Sequence, residues 1–202
     1  MKACLIMLLL FFQGNSLSAQ NINTKLRTEL LEIYRTDQLY RGELASMGPQ
    51  SPNFLKLWNK QNAIDSINLK RIKVILDSIG YPGKSTVGEP ANEAAFLVIQ
   101  HANLLSQEMY LPLIRIAADH KELPWKDVAE MIDRVAISKG QKQIYGTQLI
   151  PTKDPNTGYI TNQIEFAPID DPKHVNQRRK KVGLNTIEEQ AKEFGVVYQN
   201  IQ

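Results

Sequence analysis

Helical periodicity dominates the chain. Leu26, Leu30 and Ile33 repeat at three- and four-residue steps and predict a first helix from residue 23 or 24 to residue 40. Continued by one and two turns, the same stripe reaches Asp37 and Arg41. A lone buried charge is costly. These two residues, four apart, therefore either pair with each other or mark the point where the helix emerges into water. After the Gly48-Pro49-Gln50-Ser51-Pro52 loop, Leu57, Ile64, Ile67, Ile75 and Ile79 predict the buried face of a long helix over 53–79. Asn68 and Arg71 fall inside that face and require either polar partners or a bend. Gly80 with Tyr81-Pro82-Gly83 stops the helix.

Val87-Gly88-Glu89-Pro90 opens the next helix, with Pro90 in the first turn, where a missing N–H does no harm. Residues 94–99 are apolar on every side, as in a central helix covered all round. His101 directly follows Gln100 and continues the row Ala94, Leu97, Val98, so it is expected to point inward at the helix C-terminus. There the helix dipole favours the imidazolium and burial opposes it. Ser106 is the expected cap of a helix to about Asp119 that contains Pro112 in its second turn. Pro124 opens another, to about residue 139, whose Val128, Ile132 and Val135 face the core while Asp133 and Arg134 flank that face on opposite sides.

Beyond Gly140 the pattern becomes extended. Residues 143–150 and 159–166 read as two strands of a β-hairpin around the turn-rich segment 151–158. A short basic helix over about 173–181 follows, ended by Gly183. Asn185 with Glu188 resembles a capping box opening a last helix to about Phe194. The expected fold is mainly α (α+β): a compact helical domain with one β-hairpin on its flank, formed by residues 20–202 as a single domain.

Composition changes the picture mainly at the N-terminus. Lys2, an apolar run over 3–12 and small residues up to Ala19 read as a secretory signal peptide, residues 1–19, with cleavage after Ala19. The alternative is an uncleaved anchor, but the run falls short of the roughly 20 residues a bilayer requires. The single cysteine, Cys4, lies in this segment. A mature chain would then carry no thiol, which excludes disulfides, cysteine nucleophiles and thiolate metal sites. The formal charge of +3, less Lys2, gives +2 and supplies no argument for nucleic acid or an anionic membrane. The expectation is an exported protein, periplasmic or secreted, with no stable membrane anchor after signal removal.

Proton transfer near neutral pH is most easily made from histidine. His120 and His174 sit in charged or polar surroundings and are expected at the surface, which leaves His101 as a hydrogen-bonded core residue or a general acid or base. No two histidines share a helix face, so no metal site is expected, and nothing calls for a cofactor. Asp37 and Asp133 are candidate paired carboxylates of the kind used in glycoside hydrolysis. The chain has no Gly-x-Ser-x-Gly elbow and no glycine-rich phosphate loop. On a strand, Gln143, Tyr145 and Thr147 would share one face and Gln148 the other, offering amides and hydroxyls to a polar ligand or simply to solvent. Arg178 and Arg179 are candidates to grip an anion or, as part of a basic run, a solvated face.

Several pieces together resemble a bacterial family, domain-of-unknown-function family 6624. They are Asp37-Gln38 with Arg41, the Gly80-Tyr81-Pro82 turn with Val87-Gly88, and Gln100-His101-Ala102 with Gln107. Asp133-Arg134-Val135, Gln143-Ile144-Tyr145-Gly146-Thr147-Gln148, and Arg178-Arg179 with Gly183-Leu184 complete the set. The resemblance spans about residues 23–194 and implies a fold and a pocket, with no assigned reaction. Asn103 stands where members often carry Asp, which removes one carboxylate that could orient His101. The expected site is a single pocket where the His101 helix end meets the 143–148 strand. His101, Asp133 and Asp37 would be its catalytic groups, and Arg41, Gln100, Arg134, Gln143, Tyr145, Thr147 and Gln148 would bind a small polar ligand. One alternative is the same pocket without turnover. The other is a structural role, with these residues forming an internal polar network.

Overall fold

The computed structural model describes residues 22–47 and 51–198. The expected signal peptide, residues 1–19, lies outside the described residues. The domain is mainly helical, with a small antiparallel hairpin. Helices α1 (Thr24–Asp37), α2 (Arg41–Ser46), α3 (Phe54–Ile79), α4 (Lys84–Val87) and α5 (Ala94–Gln100) come first, with a 3-10 turn at Ala91–Glu93 before α5. Then follow α6 (Leu104–Asp119), α7 (Trp125–Ser138), strands β1 (Leu149–Lys153) and β2 (Ile160–Phe166), and the C-terminal helices α8 (Val175–Lys181) and α9 (Ile187–Phe194).

The short apolar α5 is central, as its all-round hydrophobicity predicts, and packs against α1, α3 and α6. Its Ala94, Ala95, Phe96, Val98 and Ile99 are buried with Leu26, Leu30 and Ile33 of α1 and with Ile72, Ile75 and Leu76 of α3. Each fully buried Leu or Ile contributes about 1.5–3 kcal/mol. On its far side α6 carries α7, which adds Val128, Met131 and Val135 to the same core.

The buried stripe of α3 departs from expectation. It runs through Gln61, Asn68, Ile72, Ile75 and Leu76, whereas Ile67 is 70% exposed and Ile79 is exposed too. Gln61 joins the stripe because α1 offers it a partner, the Asp37 carbonyl, to which its amide donates at 2.9 Å; Asn68, expected within the buried face, finds the polar partner it requires in Thr36 Oγ1 at 3.2 Å. Arg71 instead lies at the surface and pairs with Glu29. Local signals also shift at three helix ends. The first helix stops at Asp37 rather than Tyr40. Asn103 caps α6 by accepting from Ser106 N at 3.0 Å. The capping box of α9 is Thr186 with Glu189, one residue later than expected.

Strands β1 and β2 pair antiparallel, Leu149 opposite Phe166 and Lys153 opposite Ile160. The first strand starts at Leu149, not at residue 143. Gln143 makes only an isolated parallel bridge to Ile169, and residues 144–148 form a loop. A smaller apolar cluster lies beneath this loop. A side chain at Gly146 would run into Ile187 and crowd Ile169, and Gly146 has φ +70, a conformation that costs L-residues about 1–2 kcal/mol.

Candidate functional site

Asp37 ends α1 with its side chain 1% exposed, in the polar continuation of the apolar stripe. His101 follows the last turn of α5 and brings its Nδ1 to 3.1 Å from Asp37 Oδ2 and 3.3 Å from Oδ1. The same carboxylate accepts from Arg41 Nε at 3.2 Å and Nη2 at 3.1 Å, and from the Gln38 amide at 2.7 Å. Burial pushes the Asp37 carboxyl up, but hydrogen bonds and charge from His101 and Arg41 outweigh it and hold the group below its ordinary range.

A second layer comes from α3. Arg41 Nη2 also donates to Asp65 Oδ1 at 2.7 Å. The buried Gln61 amide donates to Asp65 Oδ1 at 2.7 Å and to the Asp37 carbonyl at 2.9 Å, and its oxygen accepts from Tyr40 N at 3.1 Å. Gln61 and Asp65 escaped the sequence reading. Their signal was there to find, since 61, 65, 68 and 72 follow helical spacing into the observed buried stripe of α3.

Asp37 accepts from Nδ1–H, so Nε2 is the ring nitrogen left to exchange a proton. The ring is partly open, 23% exposed, to a cleft of about 220 Å³ bordered by Asn62, Asp65, Ser66, Leu69 and Asn103. Nε2 has no hydrogen-bond partner among the described residues. The Gln107 amide steadies the turn that carries the ring, donating to the carbonyls of Gln100 at 2.9 Å and Ala102 at 3.0 Å. The Gln100 side chain does not border the cleft, and its buried Oε1 has no donor.

The expected single pocket is divided. Asp133, 0% exposed, does not orient His101. Its Oδ1 accepts from Ile144 N at 2.7 Å and Tyr145 N at 3.0 Å, and its Oδ2 from Thr147 N at 3.0 Å and Thr147 Oγ1 at 2.9 Å. In an extended strand successive N–H groups point to opposite edges. Here they converge on one carboxylate, which explains why the loop is not a strand and why Gln143, Tyr145 and Thr147 share no ligand-facing side. The buried Gln143 closes the loop from below, donating to the carbonyls of Gln148 at 3.0 Å and Ala167 at 2.7 Å and accepting from Gln148 N at 2.8 Å.

Arg179, 1% exposed, is a structural clamp rather than an anion grip or part of a solvated face. It donates to the carbonyls of Asn185 at 2.6 Å, Tyr145 at 2.8 Å and Gly146 at 3.1 Å, and to Gln190 Oε1 at 2.5 Å. Arg178 bonds the carbonyls of Ile144, Asp170 and Asp171. Tyr145 is half-buried, and burial together with the Asp133 charge pushes its phenol up. Arg134, Thr147 and Gln148 border a different cleft. His174 pairs with Asp171 at the surface, 2.8 Å apart. Among the described residues no cluster of His, Cys, Asp or Glu is placed to hold a metal ion, and no helix is long and apolar enough to cross a membrane.

Fold and site thus define a helical α+β domain with a buried aspartate holding a partly open histidine at the junction of three helices. The chain belongs to a family of unknown function, DUF6624, which it matches over residues 24–199. No curated protein and no solved structure matches it.

Proposed function

We propose that the protein is an exported hydrolase or lyase acting on a small polar ligand, a sugar or peptide fragment of the cell envelope, with His101 Nε2 as the proton-transferring atom. One observation carries this reading: Asp37 occupies Nδ1, while Nε2 has no partner among the described residues and the ring borders a cleft. A carboxylate on one ring nitrogen fixes the tautomer and stabilises the imidazolium formed when the other nitrogen takes a proton from water or a ligand hydroxyl. Asp37 is the positioning residue. Arg41 holds Asp37 and has its own charge balanced by Asp37 and Asp65, so it is not free to stabilise an anion in the cleft. That carboxylate-rich wall favours an uncharged ligand over an anionic one, and the Asn62 and Asn103 amides at the rim are placed to orient hydroxyl or carbonyl groups. The N-terminal segment supports the exported location.

A second reading is a non-catalytic envelope protein in which the same residues bind a ligand or form an internal network. The near-complete pairing of Asp37, Gln61 and Arg41 within the protein favours it. Turnover measured across neutral glycan and peptide fragments separates the two. General acid–base catalysis predicts that His101→Ala lowers kcat by about 10²–10⁴-fold, and Asp37→Asn by a smaller factor. Wild-type activity in His101→Ala would overturn the role given to His101, and binding without turnover in the wild type would establish the second.

A further inference from the structure

The cleft that took Arg134, Thr147 and Gln148 away from His101 has features of its own. It measures about 590 Å³ and lies between α7, the 143–148 loop and the α8–α9 segment, within the size range of small-molecule sites. Most polar groups around it are already committed. Arg179 gives its hydrogen bonds to main-chain carbonyls and to Gln190. The Gln148 amide reaches the Glu130 carbonyl at 3.3 Å and Thr147 Oγ1 at 3.1 Å.

Arg134 is the exception. Its Nε is sealed from solvent without an acceptor. Among the described residues no oxygen accepts from any of its nitrogens, whereas Arg41, Arg178 and Arg179 each have several acceptors. An unpaired buried donor is costly, so a fork left open beside a cleft points to an acceptor supplied from outside. Glu130, one turn earlier on the same helix, makes no ion pair with it. Burial holds the Glu130 carboxyl above its ordinary range despite Arg134, Lys126 and Arg179 nearby. Lys126 and Arg179 add positive charge around the same space, and the Asn185 amide on its rim has no partner among the described residues. Glu193 lines the cleft as well, so three cations stand against two carboxylates, and a planar guanidinium in that setting suits an oxyanion bound by two parallel hydrogen bonds.

We propose that this cleft is a second binding site, separate from the Asp37–His101 cleft, for the carboxylate or phosphate group of a small anion, with Arg134 as its anchor. It accounts for an arginine that plays no part in the chemistry assigned to His101, and it stands whether or not His101 catalyses a reaction. The test is titration calorimetry on the full chain with N-acetyl-alanine as the carboxylate probe, inorganic phosphate as the phosphate probe, and uncharged N-acetyl-alaninamide as the control. One of the two anions binds and the amide does not. Arg134→Gln weakens that binding by roughly tenfold to a hundredfold, the scale of a lost charge-assisted hydrogen-bond pair. Because Arg134 makes no hydrogen bond or ion pair among the described residues, this variant folds with a melting midpoint close to that of the wild type, and Arg134→Lys, which keeps the charge without the fork, falls between. Glu130→Gln binds the anion equally or more tightly, and His101→Ala binds it unchanged. The proposal is overturned if neither anion binds at about 10 mM or if Arg134→Gln binds equally well. It also fails if Glu130→Gln loses binding, which would make Glu130 and not the arginine the group that holds the probe, or if His101→Ala loses it, which would make the two clefts one.

Discussion

Replacing Asp133 by asparagine tests whether this residue builds the loop. The fully buried carboxylate accepts from three main-chain N–H groups and one hydroxyl, all between 2.7 and 3.1 Å. Asparagine offers one oxygen. If that oxygen keeps Ile144 N and Tyr145 N, the new NH₂ faces Thr147 N, donor against donor, in a buried place. An unsatisfied buried donor costs about 1–3 kcal/mol, and the remaining bonds lose the charge that made them roughly twice as strong as neutral ones. The neutral amide is easier to bury than a carboxylate, which offsets part of the loss. The net expectation is a destabilisation of about 3 kcal/mol, a large share of the 5–15 kcal/mol typical of a domain. Urea unfolding followed by tryptophan fluorescence measures it, because Trp125 lies on the same helix as Asp133. The midpoint should fall with the slope unchanged. A loss below about 1 kcal/mol would refute the reasoning and show that Gln143 and Arg179 hold the loop without the carboxylate.

Two further outcomes follow from the same geometry. Gly146→Ala should destabilise by about 2 kcal/mol from its left-handed backbone and the collision with Ile187, and thermal unfolding would show it, a neutral result contradicting the packing of the C-terminal cluster. Asp37→Asn should cost about 3 kcal/mol at pH 7 by breaking a buried charge network. Because the folded carboxyl lies below its ordinary value, that stabilisation is present above the unfolded value near pH 4 and fades as pH falls through the folded one. The gap between wild type and variant in denaturant titrations should therefore narrow toward acid, and a gap independent of pH would contradict the linkage.

Legibility along the chain followed the range of the interactions. The Asp37–Arg41 pair was readable because both partners lie one turn apart on a single stripe. The central position of α5 and the inward turn of His101 were readable for the same reason. The α3 stripe was misplaced because isoleucine spacing outweighed Gln61, whose burial makes sense only once α1 supplies the Asp37 carbonyl, whereas Asn68 lies in the buried face as expected and finds its polar partner in Thr36. The β-like run at 143–148 misled because its side chains alternate as in a strand, while its amides answer to Asp133 on a helix elsewhere.

Sequence alone determined the helices, the central apolar segment, the hairpin and the family, since periodicity, caps and turn formers act over a few residues at a time. Only the tertiary structure decided which aspartate meets the imidazole. Asp37 and His101 lie 64 positions apart, and nothing local distinguishes Asp37 from Asp133. The choice is made by where packed helices place their ends, and it turned one expected pocket into two.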